Sequence, residues 1–360
     1  MEELSMIFNE MNKRIQNLKE RSKDPWFDKG ELAAVYTMRG MQYCQVQSFE
    51  KSITDFDESI EIIECMSEEG KQRYENVLAI SYAGRGTVLH AIGETNRALQ
   101  DLTMSINIWE GMLGSDRYID EGMMFNSYIH RGNMLNTTYE YADVAILDYQ
   151  KSIIIAERLE KSGETYDEDS LATAHMGIGV SYDQKEDYDE ANKHYDKCIA
   201  IWERLQEEKQ ELTYDNLASS YMNRGSNLYQ MGYMNKSIAD HNQSVSIREH
   251  LMEKGVEQDA FDVFMAYKNR SLPFEVTGNI RAAINDNIKA LGILKNAFSD
   301  RYDLHETYYE NLGETIELIV SENDKALYAT VLQDFLYDMR AVQKTEEAET
   351  AQNRILAQID

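Results

Sequence analysis

The chain is nearly free of proline and poor in cysteine. Its 360 residues include only 2 Pro, so little in the sequence interrupts helix formation. The 3 Cys, which are Cys44, Cys65 and Cys198, lie far apart and have no CxxC spacing. This pattern argues against a disulfide framework and a cysteine-based zinc site, and it suits a reducing compartment.

Long apolar runs are also missing. No stretch approaches the ~18 consecutive apolar residues that would span a bilayer. The N-terminal segment MEELSMIFNEMNKR is acidic and amphipathic and lacks the apolar core of a secretory signal. We therefore expect no membrane association and no secretion, and we predict a cytoplasmic protein.

Positive charge is scarce. The chain carries 36 Lys and Arg against 64 Asp and Glu, which gives a formal net charge of -28. Nucleic acids and anionic membranes are bound through clustered basic residues, and no such cluster occurs in this sequence. The charge allows a basic partner, but its simpler interpretation is solubility of an extended surface.

Motifs of catalysis are absent from the sequence. The 7 His are scattered, with neither HExxH nor another two-His ligand spacing, and there is no GxxxxGK[ST], GxGxxG or GxSxG. Abundant Asp and Glu are typical of solvated helical faces. We expect a protein that is not an enzyme, with no catalytic residues, no cofactor and no metal site.

A short block, Tyr-x-x-Arg-Gly, recurs along the chain. Its four complete copies end at Gly40, Gly86, Gly132 and Gly225, and two weaker copies end at Gly179 and Ser271. Successive copies are separated by 46, 46, 47, 46 and 46 residues. Six copies at so regular a step indicate a tandem array of six repeats.

Each repeat is predicted to form two helices, A and B. In repeat two, helix A is expected from about Val77 to Ala91, Gly93 ends it, and helix B begins near Asn96. A small residue recurs in the middle of helix B, followed by branched aliphatic residues, and this pattern favours close packing of helices. The small residues are Ser59, Ser105, Ser152, Cys198, Ser244 and Ala290.

This pattern resembles the tetratricopeptide repeat, whose signature is W-x2-L-G-x2-Y, then A-x3-F, then P. Repeat four matches as His175-x2-Ile178-Gly179-x2-Tyr182, then Ala191-x3-Tyr195. The resemblance implies an all-α, right-handed superhelical solenoid of antiparallel helix hairpins.

Two features depart from the family pattern. The family repeat has ~34 residues, so about a dozen are added to each repeat of this chain. Where the family has its closing Pro, this chain has Glu at five positions: Glu64, Glu110, Glu157, Glu203 and Glu249. We therefore expect longer helices, such as one that continues through Ile199 to Lys209.

The predicted organisation has three parts. Residues 1–30 are expected to form an N-terminal capping helix and a linker that contains Pro25. Residues 31–299 hold the six repeats. Residues 300–360 are expected to form a degenerate seventh repeat, around Leu312 to Leu336, and a C-terminal capping helix with a polar outer face.

Arginine and aspartate vary together between repeats. Five repeats carry an Arg followed by an Asp sixteen or seventeen residues later. The pairs are Arg39 and Asp55, Arg85 and Asp101, Arg131 and Asp148, Arg224 and Asp240, and Arg270 and Asp286. Repeat four has Ile178 and His194 at these positions, so both members are lost together. The covariation predicts an ion pair within each hairpin, because a partly buried guanidinium without its carboxylate is unfavourable. A carboxylate-binding surface is the alternative.

The resemblance also implies a concave groove lined by helix A. Transferred to this chain, its ligand-contacting positions hold mostly uncharged polar side chains. The predicted groove residues are Thr87, His90, Asn126, Asn133, Asn136, Asp183, Ser226, Tyr229 and Gln230. Amides can hydrogen-bond the main chain of a peptide, and Tyr229 would add apolar contact. The alternative is that they are solvated positions on a scaffold.

The resulting functional hypothesis is a non-catalytic scaffold or adaptor that binds a protein or peptide in this groove. One alternative is a peptide-responsive regulator whose superhelix changes shape, and another is a self-assembling structural component that forms homo-oligomers. The groove has almost no Lys, since Lys268 stands alone. This argues against recognition of the acidic tails of Hsp70- and Hsp90-type chaperones, which the family clamps with Lys, Asn and Arg.

Overall fold

In a computed structural model, the chain is described at residues 2–24, 27–137, 139–209, 214–297 and 304–322, together with Leu327 and Val331. These residues form fourteen α-helices and one short 3-10 helix, and no strand occurs among them. The helices are α1 (Glu2–Arg21), α2 (Gly30–Gln45), α3 (Phe49–Glu64), α4 (Glu68–Ala91), α5 (Thr95–Met112), α6 (Glu121–Leu135), α7 (Ala142–Ser162), α8 (Glu168–Gln184), α9 (Tyr188–Lys209), α10 (Tyr214–Gln230), α11 (Met234–Glu253), α12 (Ala260–Val276), α13 (Ile280–Ala297) and α14 (Leu304–Ser321).

The helices belong to two compact parts. The N-terminal part comprises residues 1–201 and the C-terminal part residues 202–360, and the division falls within α9. In the N-terminal part, α2 packs on α3, α4 on α5 and α6 on α7, and each hairpin contacts the next. In the C-terminal part, α10 packs on α11 and α12 on α13. The predicted class of antiparallel helix hairpins is confirmed.

Helix A begins earlier than predicted. The prediction for repeat two began near Val77, but α4 begins at Glu68. Its first turn has no apolar periodicity, so the sequence pattern concealed it. The start is set by Ser67, whose hydroxyl accepts a hydrogen bond from the Gly70 amide. In repeat two the extra length therefore extends helix A to 24 residues, whereas α2, α6, α8, α10 and α12 have 15–17 residues. Helix α9 reaches Lys209, as predicted for helix B.

The turn between helices A and B requires a left-handed backbone. Gly93, Gly232 and Gly278 have φ near +80°, and Gln47 and Glu186 adopt positive φ at the equivalent positions of repeats one and four. Repeat three has its extra residue between Arg131 and Asp148, the segment that contains the 3-10 helix Tyr139–Tyr141. The single 47-residue step therefore reflects a local change in one turn.

Small residues let the helices approach closely. A Cβ atom added to Gly132 would lie 2.8 Å from the Tyr149 ring, and one added to Gly177 would lie 2.3 Å from the same ring. Between repeats one and two, the hydroxyls of Thr37, Ser59 and Ser81 lie within 3.0 Å of one another in a buried triangle. Each hydroxyl is hydrogen-bonded to the other two, so these small buried polar groups are satisfied where the helices are too close for larger side chains.

The N-terminal helix covers the first repeat. Ile15 and Leu18 of α1 are buried against Leu32, Val35 and Tyr36 of α2. Pro25 lies outside the described residues, as does almost all of the predicted C-terminal cap. In the described part of the chain, no helix is long and apolar enough to cross a membrane.

Candidate peptide-binding site and the contacts that build it

The structure brings together the five predicted Arg–Asp pairs. In each pair the Nε and Nη2 atoms of the arginine donate to the two carboxylate oxygens of the aspartate, at 2.6–2.8 Å. Both partners are largely buried; the side chain of Asp148 is 1% exposed. Two parallel charge-assisted bonds fix the angle between helices A and B in each of these hairpins.

Arg39, Arg85 and Arg270 also reach the preceding element. Nη1 of Arg85 donates to Asp57, and Nη1 of Arg270 donates to Asn242, so each guanidinium joins two successive repeats. Nη1 of Arg39 donates to Asn12 of α1 at the corresponding place. The N-terminal helix thus supplies repeat one with the acceptor that a preceding helix B supplies elsewhere.

A second set of contacts joins successive repeats and was not predicted. The Tyr of the recurring block donates its hydroxyl to the Glu eighteen residues earlier, which stands at the family's Pro position. The pairs with a direct hydrogen bond are Tyr128 and Glu110, Tyr221 and Glu203, and Tyr267 and Glu249. Both columns were visible in the sequence, but the Glu column was interpreted only as a missing proline.

Burial raises the pKa of the Tyr128 phenol, and the Glu110 carboxylate raises it further. Burial opposes ionisation of Glu110, but bonds from Lys151 and Tyr128 outweigh it and lower the pKa of this carboxyl. The pair is therefore a neutral phenol on an ionised acceptor at neutral pH.

Repeat four departs from the other repeats at three positions together. His175 replaces the Tyr, Ile178 the Arg and His194 the Asp. The two histidines contact each other, with 3.1 Å between their Nδ1 atoms. Burial, with His194 and Lys197 nearby, lowers the pKa of His175 to about 3; burial and Lys197 lower that of His194 to about 4. A neutral imidazole pair replaces the ion pair of the other repeats.

A buried arginine in repeat five was also missed. Trp109 is fully buried and donates its indole N–H to Asn76 of the same repeat, 2.8 Å away. At the equivalent positions of repeat five, Arg248 is 1% exposed and donates to Asp215 at 2.8 Å. The Arg248–Asp215 pair of repeat five thus replaces the Trp109–Asn76 pair of repeat two. The equivalence of these positions is visible only when the repeats are aligned with one another.

Two predicted groove residues of repeat three, Asn133 and Asn136, hydrogen-bond neighbouring helices. Asn133 accepts a hydrogen bond from the Tyr149 hydroxyl at 2.7 Å. Asn136 donates to the Gly177 carbonyl and accepts from Ser181, so its side chain holds α6 against α8. Asn136 therefore positions helices in this structure, and its predicted contact with a ligand stays a prediction.

The other predicted groove residues of the N-terminal part differ in their engagement. Asp183 accepts a hydrogen bond from the Tyr195 hydroxyl, and Thr87 donates to the Ala83 carbonyl of its own helix. Asn126 is half-buried and His90 is exposed. The polar face along α4, α6 and α8 thus contains some side chains that are held by hydrogen bonds within the protein and others that are exposed to solvent.

Ser226, Tyr229 and Gln230 lie on α10 in the C-terminal part. Ser226 donates to the Met222 carbonyl, Tyr229 is half-buried and Gln230 is exposed. Met176 and Val180, which are half-buried on α8 among the groove positions, were not predicted from the sequence. A rule that looked for polar side chains passed over these apolar residues.

Comparison with known proteins agrees with this architecture. A tetratricopeptide repeat family model matches residues 171–205, which lie within repeat four. Residues 171–205 are therefore a tetratricopeptide repeat. The other five repeats follow one another at steps of 46 or 47 residues and also form helix hairpins. No curated protein matches the chain in sequence.

Solved structures show the same fold at low identity. The chain is similar to BtubC from P. vanneervenii, with 17% identity, a TM-score of 0.50, and coverage of 70% of this chain and 92% of that one. A STAND signal-transduction ATPase with a tetratricopeptide repeat sensor from Pyrococcus horikoshii has 16% identity and a TM-score of 0.53; the match covers 86% of this chain and 43% of that one. The apo quorum sensor NprR from B. thuringiensis has 13% identity and a TM-score of 0.51, over 99% of this chain and 96% of NprR.

Proposed function

We propose that the chain is a non-catalytic scaffold that binds a peptide or an extended protein segment along the helix-A face of its N-terminal part. Asn133 carries this proposal. Its side chain is exposed, and its Oδ1 atom is fixed by the Tyr149 hydroxyl. In the described part of the chain no acceptor binds its Nδ2 atom, which is therefore oriented to donate to a peptide carbonyl.

The chemistry of the face supports a main-chain ligand. Asn126 and Asn133 of α6 and the half-buried Thr173 of α8 bear no charge, although the whole chain has a net charge of -28. Met176 and Val180 add apolar surface beside these groups. The polar groups can hydrogen-bond the peptide main chain, and the apolar residues can contact its side chains. This arrangement suits an extended peptide whose side chains point alternately to the protein and to solvent.

The proposal excludes nucleic acids, anionic membranes and the acidic tails of chaperones as partners, because each of them requires a basic surface on the protein that binds it. Within the parts of the chain that the structure describes, no disulfide joins Cys44, Cys65 or Cys198, which supports a cytoplasmic location. Among the described residues, no cluster of His, Cys, Asp or Glu could hold a metal ion.

Replacing Asn133 by Ala is expected to weaken binding of peptides selected from a random library against the wild-type chain. The loss should be about tenfold, because one hydrogen bond from an oriented donor contributes about 1–1.5 kcal/mol. Fluorescence anisotropy of the labelled peptides would measure it.

The matched control is Asn107→Ala. Asn107 is an exposed asparagine on α5, a helix B, and its replacement should leave affinity unchanged. Failure to select any peptide with the wild-type chain, or equal losses in both variants, would contradict the proposed site.

A second candidate function is a peptide-responsive regulator. It is favoured by the likeness to the quorum sensor NprR, which extends over nearly the whole of both chains. We expect small-angle scattering to show a change in radius of gyration when a selected peptide saturates the wild-type chain. An unchanged scattering profile at saturation would favour the rigid scaffold.

A further inference from the structure

The outer face of α7 carries an exposed apolar stripe. Val144, Leu147 and Ile154 are 45%, 50% and 57% exposed. Leu147 and Ile154 are two helical turns apart and Val144 is one turn before Leu147, so the three share one face. Just before the helix, Tyr139 and Tyr141 are also exposed. Unburied aliphatic residues in such a row are typical of an interaction surface.

Comparison between repeats shows that this stripe is particular to repeat three. At the position of Leu147 the other repeats have Thr54, Gln100, Lys193, Ala239 and Asn285. At the position of Ile154 they have Glu61, Asn107, Ala200, Ser246 and Gly292. Helix B packing does not need a large apolar residue at either position, since the other repeats form without one.

The stripe is complementary to itself. If two copies of α7 pack antiparallel about a two-fold axis level with residues 150 and 151, Leu147 of one copy meets Ile154 of the other. The same register places the carboxylate of Asp143 near the guanidinium of Arg158 at both ends of the contact. Asp143 is 82% exposed and Arg158 46% exposed, so both can reach a second copy. Apolar residues and opposite charges thus match between two copies of the same surface, as in an isologous dimer.

Charges already present within one copy are compatible with this arrangement. Lys151 lies next to the axis, where it would face Lys151 of the second copy. Each Lys151 is paired with Glu110 of its own chain, and this carboxylate reduces the repulsion between the two ammonium groups. Arg158 contacts Glu121 at 3.1 Å and Asp143 contacts Lys185 at 2.6 Å. Both contacts are at the surface, and each can be shared with the opposite charge of the second copy. We propose that the stripe of Val144, Leu147 and Ile154 is a homodimer interface formed by antiparallel α7 helices.

The dimer should be weak and should tighten with salt. One helix pair buries less than the about 1,200 Å² of a standard interface, so a Kd on the order of 10–100 µM is expected. Two chains with a net charge of -28 each repel one another, and added salt screens that repulsion.

Sedimentation velocity of the full chain, from about 5 to about 500 µM, should show a reversible monomer–dimer equilibrium. Leu147→Glu and Ile154→Glu are each expected to weaken dimerisation by at least about tenfold, because each buries a carboxylate against the partner helix. Gln100→Glu and Asn107→Glu add the same charge at the same positions of repeat two and should leave the equilibrium unchanged. Circular dichroism verifies that all four variants are folded.

A charge exchange tests the antiparallel register. D143R and R158D should each weaken the dimer, because like charges then face each other at both ends, and the double variant D143R/R158D should restore it. A chain that remains monomeric over the whole concentration range would overturn the proposal. Equal dimerisation in L147E and Q100E, or no restoration in the double variant, would also overturn it. Each outcome is independent of whether a peptide binds the helix-A face.

Discussion

Replacing Arg131 by Ala is expected to lower the free energy of unfolding by about 3 kcal/mol, because it leaves the buried Asp148 carboxylate without its two charge-assisted donors. Asp148 is 1% exposed, so water cannot replace the guanidinium without opening the hairpin. Urea unfolding followed by circular dichroism measures the loss.

The informative comparison is with Arg131→Ile combined with Asp148→His. This double variant copies Ile178 and His194, the residues of repeat four. It should lose less than the single variant, because neither a bare cation nor a bare anion stays buried. Equal losses in the two proteins would show that Arg131 and Asp148 are not energetically coupled, and the intra-repeat pairing would then have no role in stability.

Acidification is expected to destabilise the protein before its carboxylates begin to protonate. His175 is 6% exposed, its pKa is lowered to about 3, and that of His194 is lowered to about 4. Burial, with Arg270 nearby, lowers the pKa of His241 to about 4 as well. Below pH 6.5 the unfolded chain gains protons at these sites while the folded chain does not. Stability is therefore full above about pH 6.5 and falls towards pH 4.

The size of this effect follows from the shifts. Each pKa unit corresponds to about 1.4 kcal/mol, so His175 and His241 should each lower the free energy of unfolding by about 2 kcal/mol at pH 5. The glutamates with lowered pKa, such as Glu110, add their own losses only below their ordinary range. The window from about pH 6.5 to about pH 5 thus isolates the histidines.

The triple variant H175Y/I178R/H194D tests the origin of the acid sensitivity. It gives repeat four the Tyr, Arg and Asp of the other repeats, so the loss between about pH 7 and about pH 5 should shrink by at least about 2 kcal/mol. His250→Gln, at an exposed histidine of α11, is the matched control and should leave the pH dependence unaltered. An unchanged pH dependence in the triple variant would rule out the repeat-four histidines as its source.

Periodicity made most of the architecture predictable from one sequence. The regular spacing of the Gly column located every hairpin in the described part of the chain, and the joint loss of Arg and Asp in repeat four identified partners that lie 2.7 Å apart in repeat three. Six copies of one hairpin supply the comparison that usually needs related proteins. The start of α4 escaped because a capping serine, Ser67, determines it rather than an apolar pattern.

The candidate site was less predictable than the fold. Asn133 and Asn136 are the same residue type three positions apart, and sequence alone gives them the same role. Only the structure shows that Asn136 bonds Gly177 and Ser181, whereas Asn133 keeps its amide N–H groups towards solvent. Burial and partner geometry separate a bracing residue from a candidate ligand contact, and neither is encoded in residue type.

The Tyr–Glu contacts have a consequence for how such an array can change length. Each contact needs only a Glu near the end of one repeat and a Tyr eighteen residues later in the next. Removing one 46-residue repeat, the fourth, would place Glu157 eighteen residues before Tyr221 and recreate a standard junction. The junction is therefore indifferent to the number of repeats, so gene duplication or deletion in steps of one repeat can lengthen or shorten the array without a new interface.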